Sequence, residues 1–142
     1  MTTIINAVAS TGLTVTSDGS GVVKLQSAGV TTNALAWVNF DGTASTPITP
    51  RANYNISSIT KNGTGDYTCN FTSAVTDTNY AAVVSASFTA GGTTIIPNIY
   101  SNYVGATYTT APTTSAFRFV TGNRSTGAAT DSPYITIAVF GN

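Results

Sequence analysis

The amino-acid sequence predicts an all-β protein, an antiparallel β-sandwich of jelly-roll-like type with about eight or nine strands. The first observation is composition, because threonine makes up about a fifth of the 142 residues and valine, isoleucine, tyrosine and phenylalanine are also well represented. The second is the alternation of apolar and polar residues in several short runs. The third is that glycine, asparagine and aspartate separate these runs about every 8–12 residues, as turn residues do.

The N-terminal region is predicted to hold an arm and a hairpin. Residues 1–10 are small and mostly apolar, and they form either an arm that attaches the subunit to a neighbour or a first strand. Residues 11–142 have the length of a single β domain. Within that domain, the runs 13–16 and 22–26 flank an Asp-Gly pair, which tolerates the positive φ angles of a tight turn. We therefore predict a β-hairpin there.

The remaining strands follow from alternation and from the positions of proline. Residues 35–40 form a short aromatic strand, and the two prolines in 43–52 indicate a loop because proline removes a ladder donor. Alternation over 53–60 slips at Ser57 and Ser58, which predicts a β-bulge. The other predicted strands cover 66–73, 80–89, 94–100, 115–121 and 133–140.

Residue counts exclude several kinds of chemistry. The chain has no histidine and one cysteine, which excludes a histidine-based hydrolytic triad and a structural zinc site. Lys24 and Lys61 lie beside predicted turns, where we expect exposed, charged side chains. The aspartates lie in turns and polar loops, where we expect local hydrogen bonding. They are Asp18, Asp41, Asp66, Asp77 and Asp131. We therefore predict that the protein is not an enzyme and has no cofactor.

Cys69 is predicted to be a core residue. Alternation in the predicted strand 66–73 places it on the same face as Tyr67 and Phe71, with polar residues opposite. A cysteine on an apolar face behaves as a small buried hydrophobe, whereas a reactive thiol needs exposure and a positive neighbour. No motif places a basic residue beside it.

The aromatic residues divide into two groups. Those in alternating strands are predicted to form the core: Trp37, Phe40, Tyr54, Tyr67, Phe71, Phe88, Phe117 and Phe119. Tyr100, Tyr103 and Tyr108 lie in a stretch that alternates poorly and is rich in asparagine and threonine. Because tyrosine among small polar residues is typical of adaptable recognition surfaces, these three are a candidate recognition or inter-subunit surface, with plain core as the other interpretation.

The charge balance also limits the function. Only 7% of the residues are charged and the formal net charge is zero, whereas about 25% of residues are charged in ordinary domains. The sequence offers no basic patch for nucleic acid and no apolar stretch for membrane insertion. Since a well-charged surface normally keeps a monomer soluble, we expect much of this surface to be covered in an assembly.

Two stretches carry a resemblance to a known family. They are AWVNFDGT (36–43) and RANYNISSITKNGTGDYTCNFTSAVTDTNYAAV (51–83). They are similar to a segment common in tail-fibre and other virion structural proteins of tailed bacteriophages of the cyanophage type, over about residues 35–85. The resemblance implies a non-enzymatic virion protein that is assembled in the host cytoplasm as a homotrimer. The implied partners are copies of itself, capsid or tail proteins, and a glycan or protein of the host surface.

The length of the chain modifies this expectation. Family members often carry the segment inside a longer fibre, so with 142 residues we expect a short tail-fibre-type protein or a capsid decoration (cement) protein. Such a protein stabilises the particle or contacts the host surface. The alternative is a carbohydrate-binding β-sandwich module that is not tied to a virion, for which the stretch from Tyr100 to Tyr108 is the support.

Overall fold

The protein is all β in the part that the structure describes, as predicted. The structure, a computed structural model, describes residues 26–27, 30–31, 33–87, 95–98 and 111–141. Strands, turns and bends account for the regular structure of these ranges, and no helix within them is long and apolar enough to cross a membrane. The predicted N-terminal arm and nearly all of the predicted first hairpin lie outside the described residues.

Ten strands occur in the described ranges. Their bounds are β1 Gln26–Ser27, β2 Val30–Thr31, β3 Ala36–Phe40, β4 Ala52–Tyr54, β5 Ile56–Gly63, β6 Asp66–Phe71, β7 Ala81–Ala86, β8 Ile95–Asn98, β9 Ala116–Asn123 and β10 Ile135–Phe140. Strands β3 to β10 each lie within or close to a predicted strand. Strand β1 begins at the last residue of the predicted strand 22–26, and it pairs in a short ribbon with β2, which no predicted strand covers.

The other eight strands form two four-stranded antiparallel sheets. Sheet I has the order β4-β3-β10-β7 and sheet II the order β5-β6-β9-β8. Buried side chains of both sheets belong to one hydrophobic cluster, so the sheets pack face to face around a shared core. The predicted antiparallel β-sandwich is therefore confirmed.

Strand β10 is central to sheet I. It pairs with β3 on one side, where Ile135 lies opposite Phe40, and with β7 on the other, where Ile135 lies opposite Ala86. Strands β3 and β10 are distant in sequence, so sheet I is held together by long-range pairing. The buried positions of β10 alternate with exposed ones, which leaves one side of the sheet on the core and the other in solvent.

Two groups of aromatic rings fill the core. In the first, Phe40 from sheet I lies edge-on to two rings of sheet II, with centroid distances of 5.4 Å to Tyr67 and 6.3 Å to Phe119. Edge-to-face contacts of this kind stabilise beyond simple area burial. The second group consists of Phe71, Tyr80 and Phe117, with ring centroids between 5.7 and 6.2 Å apart.

The segment 53–60 is two strands rather than the predicted one. Asn55 separates β4, in sheet I, from β5, in sheet II, and it has a φ angle of 54°. Asparagine tolerates this left-handed conformation better than most residues. Its side chain holds the crossing in place by donating to the carbonyl oxygens of Leu35 and Ser73, both at 3.1 Å, and by accepting from the Ser73 amide at 2.8 Å.

The hairpin from β5 to β6 confirms the predicted bulge and moves the predicted turn. The register shifts between Ile56 and Ser58, and it shifts again between Lys61 and Gly63. Strand β5 continues to Gly63, so the turn is shorter than the gap, residues 61–65, between the predicted strands 53–60 and 66–73. Gly65 closes this turn with a φ angle of 65°, a conformation that costs other residues free energy.

Candidate binding face

Among residues 33–87 and 111–141, whose side-chain burial the structure describes, five large hydrophobic side chains remain exposed, and all five lie on the outer side of sheet I. Their exposed fractions run from 40% to 60%. They are Trp37 on β3, Tyr54 on β4, Val83 on β7, Tyr134 just before β10 and Phe140 at its end. Single exposed apolar residues are common, but a group of them on one surface marks an interaction site. We call this surface the outer face.

Strand register arranges the outer face in rows. Trp37 lies directly opposite Tyr54, and Ala138 lies opposite both Trp37 and Val83. An apolar row therefore crosses all four strands. Two residues further along each strand, a second and more polar row crosses the sheet, and it consists of Ala52, Asn39, Thr136 and Ser85. The outer face thus combines large apolar side chains with amide and hydroxyl groups.

Arg51 organises one end of the outer face. Its guanidinium carbon lies 4.5 Å from the centre of the Tyr134 ring, which is a cation–π contact. The same group donates to the Pro133 carbonyl oxygen at 2.8 Å and lies 3.4 Å from a carboxylate oxygen of Asp41. A longer hydrogen bond of 3.5 Å reaches the Asn39 side chain. These contacts hold Tyr134 and Arg51 in fixed positions before any ligand arrives.

The outer side of sheet II has a different character. Asn70 donates to the hydroxyls of Ser58, at 3.0 Å, and Thr60, at 3.1 Å. Asn62 donates in the same way to the Thr68 hydroxyl at 3.0 Å. The part of this side that lies on β5 and β6 therefore carries short polar residues that hydrogen-bond to one another, beside Arg118 on β9. The contrast makes the outer face of sheet I the candidate functional surface.

The prediction that Trp37 and Tyr54 belong to the core is wrong. Trp37 is 41% exposed and Tyr54 is 49% exposed, because Ala36, Val38 and Phe40 take the buried positions of β3. The sequence signal was present in β3, since its apolar residues at 36, 38 and 40 alternate with Asn39. Trp37 obscures that alternation, because a tryptophan considered without its neighbours is expected in the core.

The tyrosines proposed from the sequence as a recognition surface cannot be compared with this face. Tyr100, Tyr103 and Tyr108 lie outside the described residues, so their assignment stays a prediction. Phe88, predicted to be core, is outside them as well. Apart from Trp37 and Tyr54, the predicted core aromatics that the structure describes are buried.

Asp131 is the centre of a structural hydrogen-bond group at one end of the sandwich. One carboxylate oxygen accepts from the Tyr67 hydroxyl at 2.5 Å and from the Gly65 amide at 2.6 Å. The other accepts from the Lys61 ammonium at 2.7 Å. Lys61 also donates to the Gly42 carbonyl oxygen, which lies 3.0 Å from the Tyr67 hydroxyl. Lys61 is therefore a partly buried structural residue, and the prediction of an exposed solubilising lysine is wrong.

The environment of Asp131 affects its titration. Burial alone would raise the pKa of this carboxyl, but hydrogen bonds from Lys61, Tyr67 and Gly65 outweigh burial and hold the pKa below the ordinary 3.8. Burial, followed by the hydrogen bond to Asp131, raises the pKa of Tyr67 far above the ordinary value of 10.0, so that its hydroxyl stays protonated and donates.

We expect acid to weaken the fold partly through Asp131. A carboxyl with a lowered folded-state pKa contributes stability above its unfolded pKa and loses that stability as the pH falls through the folded value. The melting temperature of the wild-type chain should therefore fall between about pH 5 and pH 2 more steeply than that of the Asp131→Asn variant. Circular dichroism melts at several pH values measure both slopes. Equal slopes would show that Asp131 makes no such contribution.

Asp66 forms an ion pair across sheet II, which the sequence did not predict. Its carboxylate accepts from Arg118 through two hydrogen bonds, of 2.8 Å to Nε and 2.5 Å to Nη2, and from the Asn62 amide at 3.2 Å. Asp66 is 3% exposed. The expectation of local turn hydrogen bonding is thus incomplete for Asp66, since its main partner is 52 residues away. The expectation holds for Asp41 and Asp77, which accept from residues two positions ahead.

Cys69 is buried, as predicted. Its exposed fraction is 0%, and burial raises the pKa of the thiol well above the ordinary 9.0. It lies on the core side of β6, between positions occupied by Tyr67 and Phe71. A thiol in this environment is a packing group and not a nucleophile.

Thiol labelling tests this interpretation of Cys69. In native conditions, an aromatic disulfide reagent should react with Cys69 at least about a thousandfold more slowly than in 6 M guanidinium chloride, because only opened molecules present a thiolate. The denatured sample is the control, since the chain has a single cysteine. Rapid labelling of the native protein would contradict the buried position.

Metal binding finds no support in the described ranges. Within them, no group of three or more cysteine and aspartate side chains lies close enough together to hold an ion.

Comparison with known proteins gives a sparse result. No protein-family model matches the chain, and no curated protein matches it. Among solved structures, the phiAB6 tailspike, crystallised with three-repeated oligosaccharides of Acinetobacter baumannii surface polysaccharide, is similar with a TM-score of 0.43 and 23% identity. The match covers 73% of this chain and 19% of the tailspike chain, so this chain spans about a fifth of the tailspike. A likeness at this level is too weak to assign a family or a function.

Proposed function

We propose that this chain is a non-enzymatic surface protein of a bacteriophage particle and that it acts by binding through the outer face of sheet I. The observation that carries the binding role is the position of the exposed large apolar residues. All of those among residues 33–87 and 111–141 lie on this one face, whereas the outer side of β5 and β6 in sheet II carries short polar residues. Apolar groups that remain half-exposed on a rigid sheet are available to a partner.

The polar groups of the sandwich support a non-enzymatic role. The carboxylates of Asp66 and Asp131 are each held by several structural hydrogen bonds. General acid–base catalysis requires a group that can reach a substrate proton, and these carboxylates face partners inside the fold. Cys69 is fully buried. The described residues therefore supply contacts more readily than chemistry.

The virion assignment is supported by the sequence of the segment that builds the face. The stretch 35–85, which resembles phage tail-fibre and virion structural proteins, contains β3 to β6 and nearly all of β7. Trp37, Tyr54 and Val83 of the outer face lie inside it. The low charge of the chain favours an assembly in which part of the surface is covered. We propose that this assembly is the homotrimer that the resemblance implies. We propose a short tail-fibre-type or capsid decoration protein, in contact with capsid or tail proteins.

Purified particles of the phage that encodes the chain provide the test. Quantitative mass spectrometry should detect the chain in particles after density-gradient purification. Many copies per particle identify a decoration protein, and a few copies identify a fibre. Antibody labelling in electron micrographs then locates the chain on head or tail. Its absence from gradient-purified particles, with the major capsid protein detected as the control, would overturn the virion proposal.

A second candidate function is a carbohydrate-binding module that is not tied to a virion. The exposed aromatic residues of the outer face favour it, since aromatic and polar side chains together line sites for small polar ligands. The two functions differ in location, so the particle measurement separates them.

A further inference from the structure

We propose that the outer face of sheet I binds an uncharged saccharide chain, with Trp37 and Tyr54 as the stacking platform and Asn39 and Arg51 as polar contacts. This proposal rests on the proposed function in one respect, that the outer face is where the chain binds its partner. It holds equally for a virion protein and for an independent binding module.

Trp37 and Tyr54 supply the apolar half of such a site. They lie directly opposite each other on β3 and β4, so their side chains are held side by side by the ladder. Each exposes between two-fifths and one-half of its surface. A pyranose ring has an apolar face of C–H groups, and broad aromatic rings offer area to that face with few rotatable bonds. Two adjacent rings match two successive sugars.

The second row supplies the polar half. Asn39 is held only by hydrogen bonds of 3.5 Å, to the Ile135 carbonyl oxygen and from Arg51. Bonds at that length are weak, so the amide can be recruited by a ligand hydroxyl at low cost. Thr136 and Ser85 continue the same row and are exposed. Sugars need this combination because each ring edge carries hydroxyls that both donate and accept.

The charges of the face favour an uncharged ligand. Arg51 is the cation of this face, and it lies within 3.4 Å of Asp41 while also covering one side of Tyr134. Among the described residues, the pair leaves the face without net charge. An acidic saccharide would have to compete with Asp41 for Arg51, whereas an uncharged one can accept hydrogen bonds from Arg51 with the pair intact.

The layout of the face argues against a second copy of the chain as the main occupant. A standard protein interface has an apolar centre with polar groups at its rim. Here a row of amide and hydroxyl groups crosses the middle of the face. That layout suits a narrow, hydroxyl-rich ligand.

Trp37 makes the proposal directly measurable, because it is the only tryptophan in the chain. The whole chain would be titrated with uncharged hexasaccharides of glucose, galactose, mannose, rhamnose and N-acetylglucosamine, and with acidic hexasaccharides of hyaluronan and polygalacturonate. Tryptophan emission and calorimetry report binding. At least one uncharged hexasaccharide should bind and change the emission of Trp37, and the acidic ones should bind at least about tenfold more weakly.

Variants assign the binding to the face. Tyr54→Ala, measured by the emission of Trp37, and Trp37→Ala, measured by calorimetry, should each weaken binding about tenfold or more. Thr60→Ala, on the outer side of sheet II, is the matched control and should bind as the wild type does. Circular dichroism checks that each variant is folded.

Several results would overturn the proposal. They are the absence of binding by every uncharged hexasaccharide, binding of the acidic ones alone, and equal loss in the Thr60→Ala control. Light scattering adds another: if Trp37→Ala dissociates an oligomer, the outer face is an interface between copies. None of these results bears on whether the chain is found in purified particles, so the failure of this proposal is distinct from failure of the virion assignment.

Discussion

Replacing Gly65 with alanine should lower the free energy of unfolding by about 3 kcal/mol or more. This is the largest loss that we expect from a substitution that removes no favourable contact. Gly65 has a φ angle of 65°, which alone costs an L-residue about 1–2 kcal/mol. A Cβ atom there would overlap the Thr121 carbonyl oxygen and lie 2.7 Å from the Thr130 amide nitrogen. These are backbone atoms of the packed strand and loop, so they cannot move aside without breaking the bond from the Thr121 amide to Gly65.

Gly63 is the matched control, two residues away on the same hairpin. A Cβ atom at Gly63 would meet nothing within 4 Å. Gly63→Ala should therefore change the free energy of unfolding by no more than about 1 kcal/mol, in either direction. Urea denaturation followed by circular dichroism measures both variants. Similar midpoints for the two would contradict the close packing around Gly65.

Replacing Asp66 with asparagine should cost about 2–4 kcal/mol of unfolding free energy. The Asp66 carboxylate accepts two hydrogen bonds from Arg118, and Asp66 is 3% exposed. The substitution removes the negative charge of this pair. Loss of one partner from a fully buried pair costs about 3–5 kcal/mol because the other charge stays desolvated. We expect a somewhat smaller value because the side chain of Arg118 is 25% exposed.

The pair between Asp41 and Arg51 provides the comparison. It spans 3.4 Å, and the two side chains are 35% and 37% exposed. Exposed pairs contribute about 0–1 kcal/mol, so Asp41→Asn should be close to neutral. Thermal and urea denaturation of both variants at one pH would show the difference. If the two variants lost equal amounts of unfolding free energy, the burial of Asp66 would not strengthen its ion pair.

The sheet-forming segments were predictable from local pattern. Strand β6 shows the reason, because Tyr67, Cys69 and Phe71 alternate with polar residues and all three are buried. Phe117 and Phe119 on β9 follow the same rule. In such strands one face is clearly apolar, so the alternation in the sequence predicts which side chains are buried without knowledge of the neighbouring strands.

Other features depend on what lies far away in sequence. The pairing of Asp66 with Arg118 spans 52 residues, and no local pattern connects the two. The crossing at Asn55 divides one alternating stretch between two sheets, which local alternation cannot reveal. The prediction that Trp37 is a core residue fails because it gives more weight to the hydrophobicity of tryptophan than to the alternation of the neighbouring residues. The outer face could not be predicted for that reason, since it consists of residues whose hydrophobic character and exposed position disagree.

The central place of β10 in sheet I has a consequence for biosynthesis. The outer face needs β3 and β7 to flank β10, yet β10 is translated well after both of them. A nascent chain can close the hairpin of β5 and β6 early, but sheet I must wait until residue 140 has left the ribosome. Chains released before that point would lack the strand that joins Trp37 to Val83. Only a chain that has been translated through β10 can therefore present the face.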